Sequence, residues 1–145
     1  MKDTPPTYFL IAFIMAAIPH FFLAQTNIIL FPFNWLGLVP LLLGFLLISQ
    51  ARDELEKYDT PHNFSPSTIL VKSGVFNFSR NPMYLGMILT LVGIAILFQN
   101  PFSLLAPAFF FLVIELKFIP FEEEKMTAEI GESYLQYKQN VRRWL

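Results

Sequence analysis

The stretch Ser79-Arg80-Asn81-Pro82-Met83-Tyr84-Leu85-Gly86 runs from a polar, basic turn directly into an apolar segment. Proline fits the first position of a helix, where its missing N–H would have had no intrahelical partner, and asparagine before it is a preferred N-cap. A helix is therefore expected to start at Pro82, with Arg80 at its mouth. The N–H groups of a first turn carry partial positive charge, and a guanidinium beside them makes a site suited to a carboxylate or phosphate. Further along, Gly86, Thr90 and Gly93 fall at i, i+4 and i+7, one face of small residues. Either a partner helix or a flat ligand can approach the backbone there.

The rest of the chain sets the environment of that helix. Of 145 residues, 54% are hydrophobic, 17% aromatic and only 14% charged, far from a soluble average. An integral membrane protein is indicated, and one domain by length. The net charge of −1 gives no sign of a nucleic acid partner. The absence of cysteine excludes disulfides, thiolate zinc sites, catalytic thiols and C-terminal prenylation. His20 and His62 are the only histidines, and no metal is expected.

Residues 8–23 form the first predicted span, interrupted near its end by Pro19 and His20. A signal peptide is the rival reading, weakened by Asp3 beside Lys2 and by the apolar segments that follow. Residues 24–35 read as a turn with Asn27, Pro32 and Asn34, and Trp35 suits an interface. The second span, 36–49, continues as a charged helical extension to Lys57, with Pro40 marking either a kink or the helix start. Residues 59–67 have the composition of a loop and contain His62. Residues 68–76 suit a short extended or interfacial piece with a bend at Gly74.

The third span, 82–98, is seventeen residues long. At a 1.5 Å rise it covers roughly 25 Å of a ~30 Å hydrocarbon core, a deficit that a snorkelling Arg80 makes up. Gln99-Asn100-Pro101 is a tight turn, so the fourth span, 102–118, returns as the second arm of an antiparallel hairpin. Beyond Glu122 the chain turns polar, and Glu129, Glu132, Tyr134, Tyr137, Lys138, Val141 and Trp144 form a helical, amphipathic pattern broken at Gly131. The expected fold is all-α integral membrane, with about four transmembrane helices and a C-terminal amphipathic helix.

Every Lys and Arg falls on one predicted side: Lys2 before span one, Arg52, Lys57, Lys72 and Arg80 between spans two and three, and Lys117, Lys125, Lys138, Arg142 and Arg143 at or after the end of span four. The positive-inside rule then places both termini and the central loop in the cytoplasm.

A second group of candidates lies on that side. With Glu115 at zero degrees on a regular helix, Ile119 falls at about 40°, Glu122 at about −20° and Met126 at about 20°, while Glu123 lies about 80° away. Pro120 removes one backbone hydrogen bond and favours a kink. A carboxylate near the end of a span is costly unless paired or hydrated, so Glu115 is either functional or a snorkelling partner of Lys117 or Arg80. Glu122-Glu123-Glu124 is a solvated charge run unless the hairpin carries it to Arg80.

These residues carry a resemblance. Ser73-Gly74, Arg80-Asn81-Pro82-Met83-Tyr84-Leu85-Gly86, Ile119-Pro120-Phe121-Glu122-Glu123, Gly131, Tyr134, Tyr137 and Val141-Arg142-Arg143 resemble the isoprenylcysteine carboxyl methyltransferase and phospholipid methyltransferase family over residues 68–145. The family's motifs are Arg-His-Pro-x-Tyr-x-Gly and Glu-Glu-x-x-Leu. The resemblance implies a helical membrane enzyme that binds S-adenosylmethionine in a cytoplasm-facing pocket between the third and fourth spans and the C-terminal helix. It implies that Arg80, Asn81, Pro82, Tyr84, Gly86 and Leu89 border the cofactor, that Glu122 and Glu123 close the pocket, and that Arg80, Glu122 and Glu123 serve catalysis. Two positions depart from the pattern. Asn81 stands where the family often has histidine, so a mechanism needing an imidazole there is in doubt. Met126 replaces leucine, a mild change.

Methyl transfer from a sulfonium is a displacement that needs no metal, and positioning supplies most of its catalysis. The cofactor's carboxylate suits Arg80 and the helix terminus, and its ammonium suits Glu122 or Glu123. A carboxylate acceptor needs no base, whereas an amine would call on Glu123 or Glu115. The expected partners are a lipophilic substrate and membrane lipid; nothing in the sequence assigns an oligomeric state. Two other readings are a membrane reductase that uses NADPH on a lipid double bond, and a small membrane scaffold in which both motifs serve as interfacial anchors.

Overall fold

The computed structural model describes residues 4–22, 31–58 and 70–145. Lys2, Asp3, the turn residues 24–30, and the expected loop 59–67 with His62 lie outside the described residues. Helix α1 spans Pro5–Phe22, α2 Leu38–Glu56, α3 Pro82–Phe98, α4 Leu105–Val113, α5 Ile119–Ile130 and α6 Glu132–Asn140. Short 3₁₀ turns at Phe33–Gly37, Gly74–Asn77 and Pro101–Leu104 lead into α2, toward α3 and into α4, and a π-helical segment, Ile114–Phe118, joins α4 to α5. No strand occurs among the described residues.

Three continuous helical stretches, Pro5–Phe22, Phe33–Glu56 and Pro101–Ile130, are long and apolar enough to cross a membrane, and α3 is a shorter apolar helix beside them. The fold is that of an all-α membrane protein. Its side-chain distribution fits a lipid solvent: Leu42, Leu43, Phe45 and Leu46 on α2 are all exposed, as are Leu10, Phe13 and Ile14 on α1. In water such faces would be a liability; in a bilayer they match the hydrocarbon.

Helix starts follow proline stereochemistry. Pro82 is N1 of α3, as expected. Pro40 sits in the first turn of α2, which begins at Leu38, so its missing N–H leaves no gap in the ladder. At the far end of α3, Gln99 takes a left-handed conformation with φ 60° and closes the helix. The Asn100 side chain then accepts a hydrogen bond from the Phe102 N–H at 3.0 Å and starts the return toward α4.

Small residues decide which helices touch. Gly44 of α2 lies so close to α3 that a Cβ there would sit 2.5 Å from the Gly86 carbonyl oxygen, and a Cβ on Gly93 would sit 2.6 Å from that of Gly37. The small-residue face of α3 therefore receives α2 rather than a flat ligand. The other face of α3 shares a core with α1 and α4, built on Ala12, Ala16, Tyr84, Leu91, Ala106, Phe110 and Ile114. Polar locks tie the end of this core away from Arg80. The Ser103 hydroxyl donates to the Ala16 carbonyl at 2.7 Å, and the Asn100 amide donates to that of Pro19 at 3.0 Å. His20 stacks on Phe98, with ring centroids 4.7 Å apart.

Candidate active site at the mouth of α3

At the opposite end of α3, five residues of the C-terminal tail fold back over the helix start. Val141 leaves α6 in an extended conformation, φ −120° and ψ 129°, so Val141 and Trp144 do not continue the amphipathic helix as expected. The tail backbone instead docks on the motif. The Arg80 N–H donates to the Arg142 carbonyl at 3.0 Å, the Ser79 hydroxyl to the Arg143 carbonyl at 3.2 Å, and the Asn81 side-chain amide to the same carbonyl at 3.1 Å. Asn81 occupies the N-cap position but makes no side-chain cap, a correction to its expected role, because its amide is spent on the tail.

Glu123 is the centre of the ionic cluster. It is 7% exposed, and its two oxygens meet three cations. Oε1 pairs with Arg80 Nη2 at 3.1 Å and accepts from Arg143 Nε at 3.2 Å; Oε2 pairs with Lys138 Nζ at 2.8 Å and accepts from Arg143 Nη2 at 3.1 Å. Arg143 also pairs with Glu115, whose other oxygen takes the Trp144 indole N–H at 3.0 Å. The Glu123 hydrogen bonds hold the Arg143 pKa above its ordinary value, against partial burial.

The sequence placed Glu122 on the Glu115 stripe and Glu123 to one side; the structure exchanges them. The reason is the π-helical segment Ile114–Phe118. A π-turn inserts about one residue of register, roughly 100°, which carries Glu123 from about 80° to about −20° and rotates Glu122 away. Pro120 lies just beyond the segment, and the wider turn accommodates its ring and missing N–H. Glu122 turns to α3, where it accepts the Tyr84 hydroxyl at 2.5 Å and makes no ion pair among the described residues.

The remaining expected site residues divide. Pro82 is buried at N1 beneath the cluster, and Leu89 is half-buried further up α3. Gly86, expected at the cofactor, packs on α2, where a Cβ would meet Ile48 Cγ1 at 2.6 Å. Residues without an individual role in the sequence reading complete the site: Arg143, Lys138 and Trp144. Their local sequence is an ordinary basic, amphipathic C-terminus, and only the folded-back tail brings them to Glu115 and Glu123.

The cluster contains more cation than anion, since Arg80, Lys138 and Arg143 face Glu115 and Glu123. The Arg80 side chain is only 9% exposed, yet its Nε and Nη1 have no hydrogen-bond partner among the described residues. Buried donors without acceptors are costly, and an anion would satisfy them. Tyr134 of α6 lies beside Arg80 and Glu123, and its pKa is raised, chiefly by burial and then by the Glu123 charge. Next to the cluster is an open groove of about 520 Å³, lined by Pro120, Glu123, Thr127, Lys138 and Arg143 among others.

Comparison with known families agrees with this architecture. Residues 32–133 match the phospholipid methyltransferase family. The chain belongs to that family. The protein-S-isoprenylcysteine O-methyltransferase of Saccharomyces cerevisiae is 31% identical over 113 residues, 68% of this chain and 46% of the yeast protein. Two Arabidopsis thaliana proteins bear the same name: form A is 30% identical over 130 residues, 80% of this chain and 64% of its own length, and form B is 34% identical over 76 residues, 50% and 36% respectively. The chain thus spans about half the length of these curated relatives. No solved structure matches it. The family match ends before the tail, so Arg143 and Trp144 lie beyond it.

Proposed function

We propose that this chain, acting as one domain, is an S-adenosylmethionine-dependent methyltransferase that modifies a lipophilic acceptor at the cytoplasmic membrane face. One observation carries the reading: the buried guanidinium of Arg80 at the mouth of α3, two of whose nitrogens have no partner among the described residues. A carboxylate satisfies those nitrogens, and the donor's amino-acid end has one. Arg80 would hold that carboxylate. Glu122 is better placed than Glu123 to receive the donor's ammonium, because Glu123 is already saturated by cations while Glu122 bonds the Tyr84 hydroxyl.

When bound, the donor supplies an activated methyl group for in-line displacement. The chain's own contribution is binding and orientation, which can lower such a barrier by about 7–11 kcal/mol in the best-oriented cases. A carboxylate acceptor of the isoprenylcysteine type is favoured, since it is already a nucleophile and brings negative charge to a site with positive excess. The names of the yeast and Arabidopsis relatives support the same acceptor. The positive-inside distribution supports cytoplasmic placement of the termini and the site.

Calorimetry on detergent-purified protein tests the donor. S-adenosylmethionine is expected to bind, and Arg80→Ala to weaken it by roughly ten- to a hundred-fold, the worth of one charge-assisted hydrogen bond. Binding of NADPH instead would move the chain to the reductase reading. Unchanged affinity in a well-folded Arg80→Ala protein would remove Arg80 from the site. Incubating membranes with methyl-labelled donor and identifying the labelled product tests the acceptor.

A further inference from the structure

We infer that Arg143, in the C-terminal tail, is a positioning residue that keeps the anion-binding edge of Arg80 available. The inference rests on the methyl-donor reading above and extends it to a residue outside the family match.

A carboxylate offers about four lone-pair sites on its two oxygens. On Glu123 hydrogen bonds use three: Arg143 takes two with a fork, Nε to Oε1 at 3.2 Å and Nη2 to Oε2 at 3.1 Å, and Lys138 takes one at 2.8 Å, while Arg80 Nη2 lies against Oε1 as an ion pair at 3.1 Å. Arg80 therefore meets Glu123 through Nη2 alone, beside a hydrogen bond with the Tyr134 side chain, and its Nε and Nη1 have no partner among the described residues although the side chain is only 9% exposed. Left to themselves, an arginine and a carboxylate in contact favour a two-point fork. Arg143 occupies the positions such a fork would need.

The guanidinium of Arg143 is itself placed from several directions. Its Nη1 pairs with Glu115, and its backbone carbonyl accepts from both the Ser79 hydroxyl and the Asn81 side chain. Arg142 accepts the Arg80 N–H at 3.0 Å, so one short tail segment fixes both the backbone of Arg80 and the carboxylate its side chain leans on. Without the Arg143 fork, two acceptor positions on Glu123 open, and Arg80 can turn onto them and withdraw from the ligand.

The test measures affinity for two probes in detergent: S-adenosylhomocysteine, which carries the amino-acid carboxylate, and 5′-methylthioadenosine, which lacks it. Arg143→Ala should weaken S-adenosylhomocysteine by roughly ten-fold or more, approaching the effect of Arg80→Ala, and leave 5′-methylthioadenosine within about two-fold of wild type. Arg143→Lys retains the charge and a partner for Glu115 but cannot form the fork, so it should recover only a minor part of the loss. The Arg80→Ala/Arg143→Ala double variant should bind no worse than Arg80→Ala, because Arg143 acts through Arg80.

Wild-type affinity in Arg143→Lys would overturn the inference by showing that charge alone suffices. An equal loss for both probes would overturn it too, since a purely structural role predicts that result. If the wild-type protein binds neither probe, the methyl-donor reading fails first and the inference falls with it. If Arg80→Ala weakens S-adenosylhomocysteine but Arg143→Ala does not, the reading stands and only the inference is lost.

Discussion

Replacing Glu123 by glutamine preserves the shape of the side chain and removes the one charge on which Arg80, Lys138 and Arg143 converge. The three cations do not suffer equally. Lys138 and Arg143 have side chains 41% and 31% exposed and can turn toward water, whereas Arg80, at 9%, cannot. Removing one partner of a buried ion pair typically costs about 3–5 kcal/mol, because the other charge is left uncompensated. Since only Arg80 of the three is largely buried, the lower end, about 3 kcal/mol, is expected. For a chain of this size that lowers the melting temperature by roughly 6–12 °C. Thermal unfolding in a mild detergent, followed by circular dichroism, provides the measurement. A companion Arg80→Met substitution gives the control: combined with Glu123→Gln it removes the stranded charge, so the double variant should be more stable than Glu123→Gln alone. An unchanged melting temperature in Glu123→Gln would refute the reasoning, for it would mean that the carboxylate is hydrated and holds none of these cations.

Three further outcomes are expected. Gly44→Ala places a Cβ 2.5 Å from the Gly86 carbonyl oxygen and must push α2 off α3, so a loss of about 1–3 kcal/mol should appear in thermal unfolding. Burial pushes the Tyr137 phenol, which donates to the Phe76 carbonyl at 2.6 Å, up to about 12. Between the unfolded value of about 10 and that point the folded state holds a proton the unfolded state has lost, so stability should fall as pH rises, by up to about 1.4 kcal/mol per pH unit. Tyr137→Phe should flatten that alkaline slope in denaturation curves. Reporter fusions after Asn100 should read as outside the cytoplasm and fusions after Leu145 as inside; a cytoplasmic signal at Asn100 would break the topology.

The all-α membrane class and the start of α3 were legible in the chain because each depends on local or compositional properties. An apolar run has few places to go but lipid, and Pro82 after Asn81 restricts the backbone whatever surrounds it. The turn at Gln99-Asn100-Pro101 is equally local, and so is the placement of Arg80 beside the helix mouth. The pairing of particular carboxylates with particular cations was not legible. A helical wheel assumes constant twist, and the π-turn ahead of Pro120 adds one residue of register, enough to exchange Glu122 for Glu123. Gly86 and Gly93 carry the same signature for a ligand cleft as for a helix contact, and only the arrival of Gly44 and Gly37 from α2 decides between them. The reach of the tail was the least predictable feature. Arg143 meets Glu115 and Glu123 across 28 and 20 residues of sequence, and such contacts depend on how α5, Gly131 and α6 turn the chain back in space. Sequence alone determines the charges available near the Arg80 end of α3; tertiary structure decides which of them neutralise one another and which donors are left for a ligand, because ion pairing is selected by distance and desolvation rather than by order along the chain.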